Sequence, residues 1–220
     1  MSIADWHPTT PAIQQLRAEV LRRCGRYSDE GRWPEKDVVV EHLTRWFADE
    51  GLPQPAAPIE HHATFLLTCE GSGGMFSWEG AVQHLFPGVN YYQHYPPQDD
   101  PDPAVLVEGM ALFGEAFARL AARQGLTTIT LWRRLYGDRR KLINEPKPRG
   151  VASFSWNPQH VMYDDHDDPR KTLFVADVDP RVVVGVSLGR ETHPMLMPFH
   201  PRLGPGHSDL TLTAVQATPS

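Results

Sequence analysis

Apolar side chains in the first half of the chain recur at the spacing of an α-helix. Thr10 followed by Pro11 is a helix start, because a hydroxyl group can cap the helix and proline suits its first turn. The apolar positions that follow predict a helix ending at Gly25, since glycine favours the left-handed conformation found at helix C-termini. Pro34 opens a second predicted helix, and Gly51 ends it.

The longest helical pattern covers residues 103–124, with Asp102 as its N-cap and Gly125 after its last turn. Before it, residues 52–62 contain three prolines and two adjacent histidines. That composition predicts a connecting loop between the second helix and the rest of the chain.

Strand alternation replaces the helical pattern after Gly125. Residues 129–136 (ITLWRRLY) are rich in β-branched and aromatic side chains, which favours a strand. Alternation puts Arg133 on the face of the aliphatic residues Ile129, Leu131 and Leu135. An unpaired buried charge is costly, so this arginine either finds a partner or extends its head to water at a sheet edge.

Five shorter apolar segments predict further strands, at residues 151–155, 172–178, 181–187, 195–197 and 210–215. The chain is therefore predicted to have an α+β fold. A mainly helical N-terminal region, residues 1–125, precedes a β-rich region, residues 126–220, with a mostly antiparallel split sheet. The two regions can form one continuous domain.

The composition and net charge of the chain exclude several classes of protein. The net charge of −6 argues against a nonspecific nucleic-acid binder, which needs a basic face. Two cysteines, Cys24 and Cys69, are too few for a disulfide framework and indicate a reducing compartment. No apolar run suggests a signal peptide or a membrane span. We expect a cytoplasmic protein, or one delivered into a target cell without an apolar signal.

Two clusters could bind metal. Residues 163–169 (YDDHDDP) place four aspartates around His166, but without the glycine and distal glutamate of a calcium loop. His193, His200 and His207 recur every seven residues, among prolines and glycines, without the close pair typical of zinc sites. A solvated acidic loop is the favoured explanation of the first cluster, so no metal ligand is assigned.

Three segments in order resemble the ADP-ribosyltransferase superfamily, in the branch marked by arginine, a Ser-x-Ser strand and glutamate. LWRRLYG resembles the arginine strand, VASFSWNPQHVMY the hydroxyl strand and following helix, and GRETHPMLMP the segment of the catalytic glutamate. The resemblance covers roughly residues 126–200. It implies that family's split sheet and NAD as the substrate.

The resemblance also implies roles for individual residues. Glu191 would stabilise the oxocarbenium ribose that forms when NAD loses nicotinamide. Arg133, with Arg134 as the alternate, would hold a phosphate through forked hydrogen bonds. Ser153 and Ser155 would orient these groups or the nicotinamide amide. Three aromatic residues could stack on the nicotinamide, and the sequence does not choose among Trp132, Tyr136 and Trp156.

The chain departs from the family pattern at three places. Phe154 replaces the usual middle threonine of the hydroxyl strand, and Arg134 replaces the usual glycine after the arginine. The family often carries a glutamate or glutamine two residues before the catalytic glutamate, where this chain has Gly189. If Glu191 were instead that first residue, His193 would occupy the catalytic position.

The resemblance implies an NAD-consuming ADP-ribosyltransferase that acts as a toxin, effector or defence factor. Its expected partners are a macromolecular target, a protein rather than a nucleic acid, and a cognate antitoxin or immunity protein; no membrane partner is expected. Two other classes stay open: a metal-dependent hydrolase that uses the aspartate and histidine clusters, and a non-catalytic adaptor with a degenerate enzyme fold.

Overall fold

A computed structural model describes residues 10–26, 34–68, 102–136, 152–156, 171–188, 194–196 and 213–215. In these ranges all of the α-helices precede all of the strands. The helices are α1 (Pro11–Arg23), α2 (Lys36–Asp49), α3 (Ala56–Thr68) and α4 (Pro103–Arg123). The strands are β1 (Ile129–Tyr136), β2 (Ala152–Ser153), β3 (Lys171–Val178), β4 (Val183–Val186), β5 (Pro194–Leu196) and β6 (Thr213–Val215).

The predicted ends of α1 and α4 are confirmed by their capping contacts. The Thr10 hydroxyl accepts a hydrogen bond from the Ile13 amide at 3.4 Å, and the Asp102 carboxylate accepts one from the Ala104 amide at 3.0 Å. Gly25 and Gly125 follow the two helices with φ of +83° and +75°. These left-handed conformations are the reason that glycine ends both helices.

The loop predicted over residues 52–62 is wrong, because α3 begins at Ala56. Pro55 precedes the helix and Pro58 lies in its first turn, where backbone amides have no partner within the helix, so proline removes no helical hydrogen bond there. The residues that follow place Ile59, Ala63 and Leu66 on a buried face. The second helix also begins two residues later than Pro34, at Lys36.

The strands form two three-stranded antiparallel sheets within the described ranges, one in the order β1-β3-β6 and the other in the order β2-β5-β4. The α+β class and the antiparallel pairing are thus confirmed. The segment predicted as a strand over 181–187 divides into a short 3-10 helix, Pro180–Val182, and β4. No helix in the described part of the chain is long and apolar enough to cross a bilayer.

Helix α4 lies at the centre of the packing. It contacts α1, α2, α3, the 3-10 helix and β4. Two of its glycines allow close backbone approach: a Cβ atom at Gly109 would lie 2.6 Å from the Pro58 carbonyl oxygen, and one at Gly114 would lie 2.5 Å from the Arg181 carbonyl oxygen. Buried side chains of the helices and of the strands therefore form one continuous hydrophobic cluster.

His62 is a polar residue inside that cluster. Its side chain is fully buried, and its ring centroid lies 5.3 Å from that of Phe65 and 5.0 Å from that of Phe113. Neither ring nitrogen has a hydrogen-bond partner among the described residues. Removal from water disfavours the charged imidazole and lowers the pKa of His62 from 6.5 to about 3.

We expect the free energy of unfolding to fall by about 2 kcal/mol between pH 7 and pH 5 because of His62. Its pKa is lower in the folded protein than in the unfolded chain, so its stabilising effect is complete above pH 6.5 and declines as the pH falls toward 3. Urea unfolding at several pH values measures the effect. The His62→Leu variant should remove this part of the pH dependence.

The neighbouring His61→Leu substitution is the control, since His61 is half-buried on the same helix. Glu19 does not change the stability within this window, because the hydrogen bond from Arg22 lowers its pKa from 4.5 to about 2, so its stabilising effect is complete above pH 4.5 and declines as the pH falls toward 2. Equal pH dependence of the wild type and His62→Leu between pH 5 and 7 would contradict the expectation.

Candidate functional site

Arg133 lies on the core-facing side of β1. Ile129 and Leu131 are buried, and Arg133 follows them on the same face in a half-buried position. The predicted arginine on an apolar face is therefore confirmed, and it has an aromatic partner. Its Cζ atom lies over the Phe154 ring, 5.5 Å from the centroid. A guanidinium group at this distance is attracted by the negative face of the ring.

The two sheets meet beside Arg133. The Trp132 amide donates to the Ser155 carbonyl at 2.9 Å, and the Ser155 amide donates to the Trp132 carbonyl at 2.6 Å. On the other sheet, the Phe154 amide donates to the Pro194 carbonyl at 2.9 Å. We call these five residues, Trp132, Arg133, Phe154, Ser155 and Pro194, the sheet junction. Two consecutive residues of the hydroxyl segment thus bond to different sheets.

The hydroxyl segment is a shorter strand than predicted. Regular pairing covers only Ala152–Ser153, where Ser153 lies opposite Met195 of β5, and the bridge at Ser155 belongs to the other sheet. Phe154, Ser155 and Trp156 are all buried. A strand that leaves one sheet for the other cannot continue a single ladder, which explains its length.

The aromatic candidates differ in their surroundings. Trp156 is 5% exposed, and its ring centroid lies 6.2 Å from that of Phe117 of α4. Trp132 is half-buried on the opposite face of β1 from Arg133. Trp156 therefore contributes to the core in this structure, whereas more of Trp132 is exposed. The backbone of Tyr136 pairs with Lys171 at the end of β1.

Several predicted site residues lie outside the described part of the chain. Glu191, Gly189 and His193 belong to this group, as do the acidic segment 163–169, His200 and His207. The structure describes the backbone but not the side chains of Arg134, Tyr136 and Ser153. Among the described residues, no three histidine, cysteine, aspartate or glutamate side chains are grouped as a metal site would require.

Arg26 is a structural residue that the sequence did not single out. It is 5% exposed, and its Nη1 atom donates a hydrogen bond to the Leu188 carbonyl at 2.5 Å. The Leu188 amide in turn donates to the Leu66 carbonyl of α3 at 3.1 Å. The chain that leaves β4 is therefore held by two parts of the helical region. The position of Arg26 directly after the glycine that ends α1 is the only sequence signal for this role.

We expect Arg26→Met to lower the free energy of unfolding by about 1–3 kcal/mol, because the buried Leu188 carbonyl loses a charged donor. Chemical denaturation measures the loss. Arg22→Met is the matched control, since Arg22 pairs with Glu19 at the surface of α1 and its side chain is 51% exposed. An exposed ion pair contributes less than about 1 kcal/mol. Equal losses in the two variants would contradict the role of Arg26.

Comparison with known proteins gives this chain no family. No family model matches it, and neither a curated protein nor a solved structure matches. The residues of the sheet junction are therefore the basis for assigning a function.

Proposed function

We propose that this protein is an NAD-consuming ADP-ribosyltransferase whose two sheets form the split sheet of that family. One observation carries the proposal: the sheet junction brings together the three segments that resemble the family. Arg133 comes from the first segment, Phe154 and Ser155 from the second, and Pro194 from the third. These residues are distant in sequence, so their meeting is a property of the fold.

The surroundings of Arg133 suit the binding of a phosphate group. Arg133 is half-buried as a residue, and its neighbours Ile129 and Leu131 on the same strand face are apolar and buried. A charge–charge contact is stronger where less water screens it. Guanidinium groups also bind phosphate oxygens with two parallel hydrogen bonds. In the proposed reaction, Arg133 binds the diphosphate of NAD, and Arg134 is the alternate.

The catalytic carboxylate in this proposal is Glu191. It precedes Pro194 by three residues in the sequence. The Pro194 carbonyl accepts a hydrogen bond from the Phe154 amide, so the segment that resembles the glutamate segment of the family meets the hydroxyl segment at Pro194. In the proposed reaction, Glu191 accepts ribose hydroxyl protons and stabilises the oxocarbenium ion. Ser153 and Ser155 would orient these groups.

The acceptor of the ADP-ribose is proposed to be a macromolecule. A protein target fits the net charge of −6 better than a nucleic acid does, because like charges repel. The biological role proposed is that of a toxin, effector or defence factor, with an antitoxin or immunity protein as a further partner. The sequence segment 138–150 (DRRKLINEPKPRG), which is rich in lysine and arginine, is proposed to bind an acidic target.

We expect Glu191→Gln to reduce NAD turnover by at least about 100-fold, because the amide cannot carry the negative charge that stabilises the transition state. Arg133→Lys should instead raise KM for NAD, since lysine lacks the forked donors. Nicotinamide release from purified protein measures both effects. Glu41→Gln is the control, because Glu41 is an exposed carboxylate on α2.

Absence of NAD turnover and of NAD binding in the folded wild type would refute the enzymatic proposal. If NAD turnover is unchanged in Glu191→Gln but lost in His193→Ala, His193 rather than Glu191 occupies the catalytic position. Circular dichroism of each variant shows whether a loss of activity arises from a loss of the fold.

We also expect ADP-ribose to be attached to side chains other than arginine. Free guanidinium is protonated and a poor nucleophile, so its modification requires a base beside the acceptor. The family resemblance assigns that base to the position two residues before the catalytic glutamate, where this chain has Gly189. Mass spectrometry of a treated cell lysate identifies the modified residues. Predominant labelling of arginine would show that His193 or another group supplies the base.

A further inference from the structure

Phe154 supports the charged group of the proposed site from the core side. The Arg133 Cζ atom lies over its ring, 5.5 Å from the centroid, and the Phe154 side chain itself is 2% exposed. The ring is thus held in the hydrophobic cluster, whereas Arg133 as a residue is half-buried. This contact connects the close-packed core to the cation on β1.

The backbone of Phe154 is fixed on both sides. Its amide donates to Pro194 of β5 at 2.9 Å, and the next residue, Ser155, exchanges two hydrogen bonds with Trp132, at 2.9 and 2.6 Å. Trp132 directly precedes Arg133 on β1. The backbone position of Phe154 relative to Arg133 is therefore set by both sheets, and close packing in the core limits the conformations of its buried ring.

An aromatic ring has a particular effect on a guanidinium group. Its negative face attracts the cation without accepting any of the five N–H donors as a carboxylate would. The attraction also limits the conformations of a long side chain, whose ordering otherwise costs free energy when a ligand binds.

We propose that Phe154 is a positioning residue that holds the Arg133 guanidinium group ready to bind a diphosphate. The inference rests on the proposed function, because it takes the diphosphate to be that of NAD. In this proposal Phe154 acts on the diphosphate through Arg133. It sets affinity rather than the rate of bond cleavage.

A direct test of the contact uses the Arg133 side-chain resonance, which does not depend on any reaction. In the folded wild type, the ring current of Phe154 should displace the Arg133 Nε–H proton resonance upfield of an ordinary arginine. Phe154→Leu and Phe154→Met keep an apolar side chain without an aromatic face, so the displacement should disappear. Phe154→Tyr should preserve it. Arg133→Lys assigns the resonance by its loss.

The functional test compares binding with catalysis. Phe154→Leu and Phe154→Met should raise KM for NAD by about 2- to 30-fold, the range expected for a cation–π contact, with kcat nearly unchanged. The dissociation constant for inorganic pyrophosphate should rise by a similar factor. Phe154→Tyr should restore both values. Phe47→Leu is the matched control, because Phe47 is a fully buried phenylalanine of α2.

The outcomes separate this inference from the proposed function. If the wild type neither binds nor cleaves NAD, the proposed function fails, whereas a lost ring-current displacement and weaker pyrophosphate binding in Phe154→Leu still support the positioning role. If Phe154→Leu matches Phe47→Leu in resonance, KM and pyrophosphate binding, the inference is overturned. It is also overturned if the resonance moves while neither affinity changes, or if only kcat falls.

Discussion

The packing of α4 against both the other helices and the strands is the constraint on which the rest of this structure depends. Gly109 and Gly114 lie on this helix, and at each of them a neighbouring carbonyl oxygen occupies the space that a Cβ atom would need. In a helix interior, glycine is about 1 kcal/mol less favourable than alanine. Its presence at both positions is explained by the close approach of α3 on one side and the 3-10 helix on the other. The helical and β-rich regions share one core as a consequence.

A buried carboxylate fixes α2 against the same helix. Glu50 follows the last residue of α2, and its side chain is 4% exposed. Arg123 binds both carboxylate oxygens, with an Nη1–Oε2 distance of 2.6 Å, and the Trp46 indole donates to Oε1 at 3.2 Å. The hydrogen bond from Arg123 holds the pKa of Glu50 below its usual range. A buried charge needs such partners, so this pair specifies how the end of α2 meets the end of α4.

Local signals in the sequence were sufficient for the ends of α1 and α4 and for β1. Thr10, Asp102, Gly25 and Gly125 act within one turn of the chain, and the structure shows each in its predicted role. The alternation in ITLWRRLY likewise predicted the bounds of β1. In contrast, α3 was missed because its prolines resemble those of a loop, although proline in a first helical turn removes no hydrogen bond. The sequence around His62 did not indicate that its side chain is buried, since burial depends on which helices pack around it.

The candidate site shows the same limit at longer range. Strand periodicity placed Arg133 on an apolar face, but it could not identify the residue that lies opposite its charge. That residue, Phe154, is 21 positions away, and its contact with Arg133 depends on the hydrogen bonds that bind adjacent residues to different sheets.

From the sequence alone, Phe154 is a departure from the family pattern, because that pattern usually has a threonine with its hydroxyl group at this position. The fold gives this position another physical role. A half-buried arginine loses part of its hydration, and a ring held in the core offsets part of that loss by attracting the cation. Chemistry at such a site is therefore determined jointly by the polar residues that meet the ligand and by the apolar residue that supports them.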